Sequence, residues 1–229
     1  MIDCCKYISC EYIKVKLVDN KFYSYFYDYL KNNLNMEEKE GYLIYKRGEI
    51  MIEITYFVHG TTYDNEAKRA SGWLPGELSE KGINQAIALA KTIKDEYFDI
   101  VFCSDLNRAI QSSKLDFYNR DIEIIRDKRI RECNYGVLDG KDASLVVYEN
   151  HIDIPFEDGE SLKDVENRIS DFVKYLKENY DNKKVAIVAH RAPQLALDVL
   201  LKGVSWEDAI KNDWRNTKNW QPGWKYIIE

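Results

Sequence analysis

The residues whose types and placement carry the most chemistry are His59, Arg108 and His190. His59 closes the apolar run Ile54-Thr55-Tyr56-Phe57-Val58 and is followed by Gly60, Thr61 and Thr62. His190 closes a second run, Val185-Ala186-Ile187-Val188-Ala189. The chain holds three histidines, so two of the three stand where buried-looking strands end. Between them Ile100-Val101-Phe102-Cys103 leads into Ser104, Asp105 and, four residues past the serine, Arg108. In open α/β sheets the carboxyl edge of the strands is where ligands bind. Two imidazoles and a guanidinium at neighbouring strand ends suit a phosphate group, because a guanidinium meets two phosphate oxygens at once and an imidazole is a nucleophile near neutral pH.

The elements that would position these residues follow from the pattern. Beyond Met51, apolar strand-like runs alternate with helix-like periodicities. Ser79 reads as the N-cap of a helix reaching about Ile93, with Ile83, Ile87 and Ala90 on one face. A strand over Asp99–Cys103 precedes a helix near Arg108–Leu115, and Ile122–Ile125 reads as a short strand. Ser161 caps a long helix with Val165, Ile169, Phe172 and Leu176 turned inward. The strand Val185–Ala189 leads to a helix after Pro193, and Ser205 opens a last one. Trp214, Trp220 and Trp224 are expected to pack on the body. Strand–helix alternation of this kind predicts a three-layer α/β/α fold with a mainly parallel sheet covered on both faces.

Residues 1–50 differ from the rest. They hold eight of the seventeen tyrosines and three of the five cysteines, and their eight basic and eight acidic residues cancel. Ile13, Val15 and Leu17 alternate like a strand, Phe22, Phe26 and Leu30 recur at helical spacing, and Tyr42–Tyr45 reads as another strand. Two readings stand side by side: a small appended unit, or translation that starts at Met51. The expected division is 1–50 as an extension and 51–229 as the main domain.

Composition narrows the function classes. A net charge of -6 argues against nucleic acid as the main partner, while a local basic cluster can still hold a small anion. No apolar run approaches the ~20 residues of a membrane helix. The start, Met1-Ile2-Asp3-Cys4-Cys5-Lys6, lacks the apolar core of a secretory signal. A cytoplasmic protein with reduced cysteines is therefore expected, and the cysteine spacing fits no zinc pattern. Cys133 draws attention because it follows Glu132. Oligomeric state is left open.

Taken in order, the blocks resemble the histidine phosphatase superfamily, the phosphoglycerate mutase-like fold. The first motif reads Val58-His59-Gly60-Thr61-Thr62-Tyr63-Asp64-Asn65. Gly72-Trp73 and Leu78-Ser79-Glu80-Lys81-Gly82 follow, then Ser104-Asp105-Leu106-Asn107-Arg108-Ala109. Arg131-Glu132-Cys133-Asn134-Tyr135-Gly136-Val137-Leu138-Asp139-Gly140 matches the proton-donor block, Gly159-Glu160-Ser161 a helix start, and His190 the late histidine. The resemblance spans about Met51–Leu201. It implies a transient phosphohistidine on His59, Glu132 as proton donor, and Arg108 and His190 on the phosphate, with Thr62 and Asn65 as neutral donors. It implies no cofactor and no metal, and a small phosphorylated substrate.

One departure stands out: the family's leading arginine is Val58 here. A charge-assisted hydrogen bond is worth ~1.5–3 kcal/mol, so the loss is not small. Arg191 follows His190 where the family often has glycine. It either refills the vacancy from the other side or lies at the rim. The expected activity is hydrolysis of a small phosphomonoester. The alternatives are phosphoglycerate mutase-type transfer, disfavoured because mutases carry extra segments over the site, and a phosphate-binding protein without turnover. His151 and Trp73 read as a loop residue and a packing residue.

Overall fold

The computed structural model describes residues 12–16, 36–39, 42–46, 51–219 and 221–229. The chain divides into two compact units, Met1–Ile50 and Met51–Glu229. In the first, β1 (Tyr12–Lys16), β2 (Met36–Lys39) and β3 (Tyr42–Lys46) form an antiparallel sheet in the order β1-β3-β2. Two of the expected strands are there; the helical pattern at Phe22–Leu30 lies outside the described residues, as does Trp220.

The second unit is built on five strands in the order β6-β5-β7-β4-β8. These are β4 (Ile52–Val58), β5 (Ile100–Cys103), β6 (Ile124–Arg126), β7 (Lys184–Ala189) and β8 (Trp224–Ile228). The first four run parallel, and β8 pairs antiparallel with β4. The near-continuous apolar runs of β4, β5 and β7 belong to strands covered on both faces. Period-2 alternation sends neighbouring residues to opposite layers. Phe57, Val101, Cys103, Ala186 and Val188 join Ile93, Phe98 and Phe117 in one cluster. Phe102 points the other way, onto Phe172 at 5.3 Å. Helices α2 (Glu80–Thr92) and α3 (Asn107–Asp116) pack on one another, as do α4 (Leu162–Asn179) and α5 (Arg191–Lys202), which completes the expected three layers. A short α1 (Tyr63–Glu66) precedes them; α6 (Trp206–Lys211) and α7 (Trp214–Thr217) follow.

Two local expectations shift. In α2 the buried residues are Gly82 and Ala86, while Ile83 is exposed. Gly60 and Gly82 cause the rotation. A Cβ on Gly60 would lie 2.5 Å from the Gly82 carbonyl oxygen, and one on Gly82 would lie 2.0 Å from that of Thr61. The helix must turn its bare backbone, not its isoleucines, toward the His59 loop. Second, α5 starts at Arg191 rather than after Pro193. The proline sits in the first turn, where a helix needs no N–H.

Candidate active site

Strand register brings the two histidines together. Val58 pairs with Ala189 across β4 and β7, and the His59 N–H extends that ladder to the Ala189 carbonyl (3.1 Å). The next residues on both strands are therefore side by side, with imidazole centroids 5.0 Å apart. Strand β5 flanks β7, with Ser104 N–H donating to Val188 O (3.1 Å), and Arg108 follows in the first turn of α3. All three candidates thus stand along the carboxyl edge of the sheet, at the point where β7 separates β4 from β5.

His59 has a defined tautomer. Its Nδ1 lies 2.7 Å from the Gly60 carbonyl, which can only accept, so Nδ1 carries the proton and Nε2 keeps its lone pair. Burial, followed by the positive charge of Arg108, lowers the His59 pKa from 6.5 to about 3, against the opposing Gly60 bond. The ring is neutral at physiological pH. Ser112 on α3 holds the loop by accepting from Gly60 N–H (3.0 Å).

His190 is fully buried, and neither ring nitrogen has a hydrogen-bond partner. An unpaired buried polar group costs about 1–3 kcal/mol, and the N–H of this ring is free to donate to an anion. Burial, Arg108 and His59 hold its pKa well below the ordinary range. Its backbone is fixed by Tyr56, whose hydroxyl donates to His190 O (2.7 Å) and accepts from His190 N–H (2.9 Å).

Arg108 is 2% exposed. Its Nη1 and Nη2 donate to the carbonyls of Leu74 (2.7 Å) and Gly72 (2.8 Å). A guanidinium has five N–H groups, so three remain for an anion. The motif Gly72-Trp73 therefore acts through its backbone: its carbonyl aims the arginine. The Trp73 indole N–H donates to Glu132 O (2.8 Å), and the ring stacks under Arg131.

Glu132 is buried, and its carboxylate meets the start of α5. Oε1 accepts from Cys133 N–H (3.0 Å) and Ala192 N–H (2.9 Å), with the Tyr148 hydroxyl at 3.4 Å; Oε2 accepts from Arg191 N–H (3.1 Å). Its bonds to the N–H groups of Arg191 and Ala192, the residues that follow His190, set it on the histidine side of the sheet edge. Arg168 secures the segment from behind by donating to the carbonyls of Arg131 and Glu132.

Arg191, Thr62 and Asn65 make contacts that the sequence did not show. The Arg191 side chain does not point its fork at an open site: Nε donates to Asp213 Oδ2 (2.6 Å) and Cζ lies 4.3 Å from the Tyr148 ring centre. Of Arg191, the backbone N–H serves the site directly, through Glu132. Thr62 and Asn65 bond each other first, in a capping box that opens α1 (3.0 Å both ways), and Asn65 is exposed. The Cys133 thiol is buried and pushed far above its usual pKa by burial and by Glu132, so it is unreactive. His151 stacks on Phe156 at 3.7 Å, as a loop residue would.

Tyr56, Ser112 and Asp213 were not marked by any motif. Their bonds join residues 134, 52 and 22 positions apart, which periodicity does not reveal. A cavity of about 380 Å³ bordered by Gln194, Asp208, Asp213 and Trp214 is lined by neither strand-end histidine.

The family model described as the histidine phosphatase superfamily (branch 1) matches residues 56–220. Phosphoserine phosphatase 1 of Hydrogenobacter thermophilus is 29% identical over 165 residues, covering 67% of this chain and 78% of its own. A 2,3-bisphosphoglycerate-dependent phosphoglycerate mutase of Beijerinckia indica is 32% identical over 166 residues, covering 65% and 80%. In three dimensions the chain resembles the α-ribazole phosphatase of Shigella flexneri, with a TM-score of 0.63 at 24% identity, over 69% of this chain and 83% of that one.

Proposed function

The chain belongs to the histidine phosphatase superfamily, and from that premise we propose that it hydrolyses a small phosphomonoester through a phosphohistidine on His59, without a metal ion. The carrying observation is the neutral imidazole of His59, its Nδ1–H tied to Gly60 O and its Nε2 lone pair left open beside the unpartnered ring of His190.

In the first step His59 Nε2 attacks phosphorus. The N–P bond forms as the ester P–O bond breaks, and Glu132 delivers a proton to the leaving alkoxide. Arg108 and His190 donate to the equatorial oxygens, where charge is concentrated. In the second step Glu132, now a carboxylate, takes a proton from water as that water attacks phosphorus. The N–P bond breaks and inorganic phosphate leaves. Thr62 and Asn65 order the loop behind the nucleophile, and Arg191 holds Glu132 in place through its backbone. The similarity to a phosphoserine phosphatase favours a small anionic metabolite as substrate.

The test is turnover of p-nitrophenyl phosphate in the presence of a chelator, followed by a panel of phosphorylated amino acids, sugar acids and ribosides. Release of inorganic phosphate with chelator present is expected. No phosphate release from any member of the panel would overturn hydrolysis. Phosphoryl exchange between the hydroxyls of phosphoglycerate, in place of release, would assign the mutase reaction instead.

A further inference from the structure

Val58 leaves the phosphoryl site with Arg108, whose guanidinium already spends two N–H groups on the carbonyls of Gly72 and Leu74. Arg191 is engaged by Asp213 and Tyr148. The fold brings one more arginine to the same sheet edge. β8 runs antiparallel to β4, with Trp224 paired to Tyr56. The residues just before Trp224 therefore pass the end of β4 that carries Val58 and His59. Gly223 packs closely there: a Cβ on it would lie 3.0 Å from the Phe57 ring. Helix α7, which holds Arg215, leads into this stretch.

Arg215 is anchored but not used up. Its backbone N–H and Nη1 both donate to Asp213 Oδ1 (3.0 and 3.1 Å), and its Cζ stacks 4.4 Å over Trp214. The Asp213 side chain is fully buried and also takes Arg191 Nε, so one carboxylate is shared by two guanidinium groups. The two guanidinium groups carry one more charge than Asp213 alone supplies. Asp213 thereby ties α7 to the start of α5, the helix that follows His190. Arg215 retains Nε and Nη2, and 30% of its side chain is exposed. Its charge bears on His59, His190 and Tyr56 together, which lie at the ends of β4 and β7.

We propose that Arg215, delivered from the C-terminal segment, supplies the second guanidinium to the phosphoryl group that position 58 no longer provides. This rests on the phosphatase reading above. Asp213 is its positioning residue, and α7 is then part of the phosphate site, not only a cover for the sheet.

The experiment is titration of the full-length chain with orthovanadate, read by calorimetry, alongside turnover of p-nitrophenyl phosphate. Arg215→Gln is expected to weaken vanadate binding about tenfold or more, the loss of one charge-assisted contact. Adding Val58→Arg to that variant should restore most of the affinity, because the guanidinium then arrives from the family's own position. If Arg215→Gln does not fold, Arg215→Lys serves: it keeps the charge and loses the fork, and a several-fold weakening is expected. Vanadate affinity unchanged in these variants overturns the proposal. So does a loss that Val58→Arg leaves unrepaired, which marks a structural arginine. A parent chain that binds vanadate but releases no phosphate from any ester would sink the phosphatase reading alone, since the binding series still judges Arg215.

Discussion

Exchange of Glu132 for glutamine separates its two tasks. The carboxylate accepts three backbone N–H bonds, from Cys133 and Ala192 on one oxygen and from Arg191 on the other. An amide can keep its oxygen where two N–H groups converge. Its NH2 then faces the Arg191 N–H, and one buried donor loses its acceptor. That costs about 1–3 kcal/mol of stability, visible as a lower urea midpoint with the fold intact. The chemical cost differs, because the amide has no proton to give. General acid catalysis supplies about 10²–10⁴ in rate when the leaving group needs the proton. For alkyl phosphates such as phosphoserine or a phosphorylated sugar acid, kcat/KM should fall by about that factor. For p-nitrophenyl phosphate, whose phenolate leaves unaided, the first step should fall far less. The assay is kcat/KM across a series of aryl and alkyl phosphates, plotted against leaving-group pKa for both proteins. A steeper dependence in the variant is expected. Parallel lines, with the same fractional loss for every ester, would refute the proton-donor role and leave Glu132 as a staple between its loop and α5.

Other consequences follow from groups elsewhere in the site and core. His59 is neutral in the folded chain, with its pKa lowered from 6.5 to about 3, and His190 is shifted the same way. The unfolded chain therefore binds protons on these rings first as pH falls below 6.5; the stability tied to their neutral forms is complete above 6.5 and is lost as pH falls, toward pH 3 for His59. Imidazole NMR spectra should show no titration step for either ring between pH 8 and 5, and a step near 6.5 would contradict the burial argument. Asp116 is buried with no partner on either carboxylate oxygen, and burial raises its pKa well above the usual value. Its destabilising effect grows as pH rises from its ordinary titration range, so Asp116→Leu, which keeps the branched shape, should raise stability at pH 7 by about 1–3 kcal/mol. The gain should shrink at pH 4, and equal gains at both values in urea unfolding would discount the carboxyl. Because β4 to β8 form a unit of their own from Met51 onward, a chain shortened to begin there should fold and keep its turnover. An insoluble or inactive product would show that residues 1–50 complete the domain.

Much of the framework was legible because it rests on local patterns. Apolar strand runs, the N-caps Ser79, Ser161 and Ser205, and the inward face of α4 all appear as read. The strand-end histidines were legible for the same reason: a run of β-branched residues ending in a histidine places that histidine at a sheet edge. What sequence did not disclose depends on side-chain direction and distant partners. Arg191 was visible as a residue next to His190, but not the buried Asp213 that holds its guanidinium. The face of α2 followed its isoleucines in the pattern and its glycine in the fold, because a backbone-to-backbone approach at Gly60 leaves room for no side chain. Arg215 lies in a tail outside the motif blocks, and its tie to Asp213 joins that tail to the helix after His190 through contacts that no local pattern carries.

The most direct measurement traps the intermediate. The chain is mixed with a radiolabelled phosphomonoester, quenched within the first turnover under alkaline conditions that preserve phosphohistidine, and mapped by peptide mass and by phosphorus NMR. One phosphoryl group on His59 is expected, bonded to Nε2, since Nδ1 carries the proton given to Gly60 O. Label on Nδ1 of His59 would contradict the tautomer. Phosphate release with no labelled histidine, or with label on His190, would contradict His59 as the nucleophile.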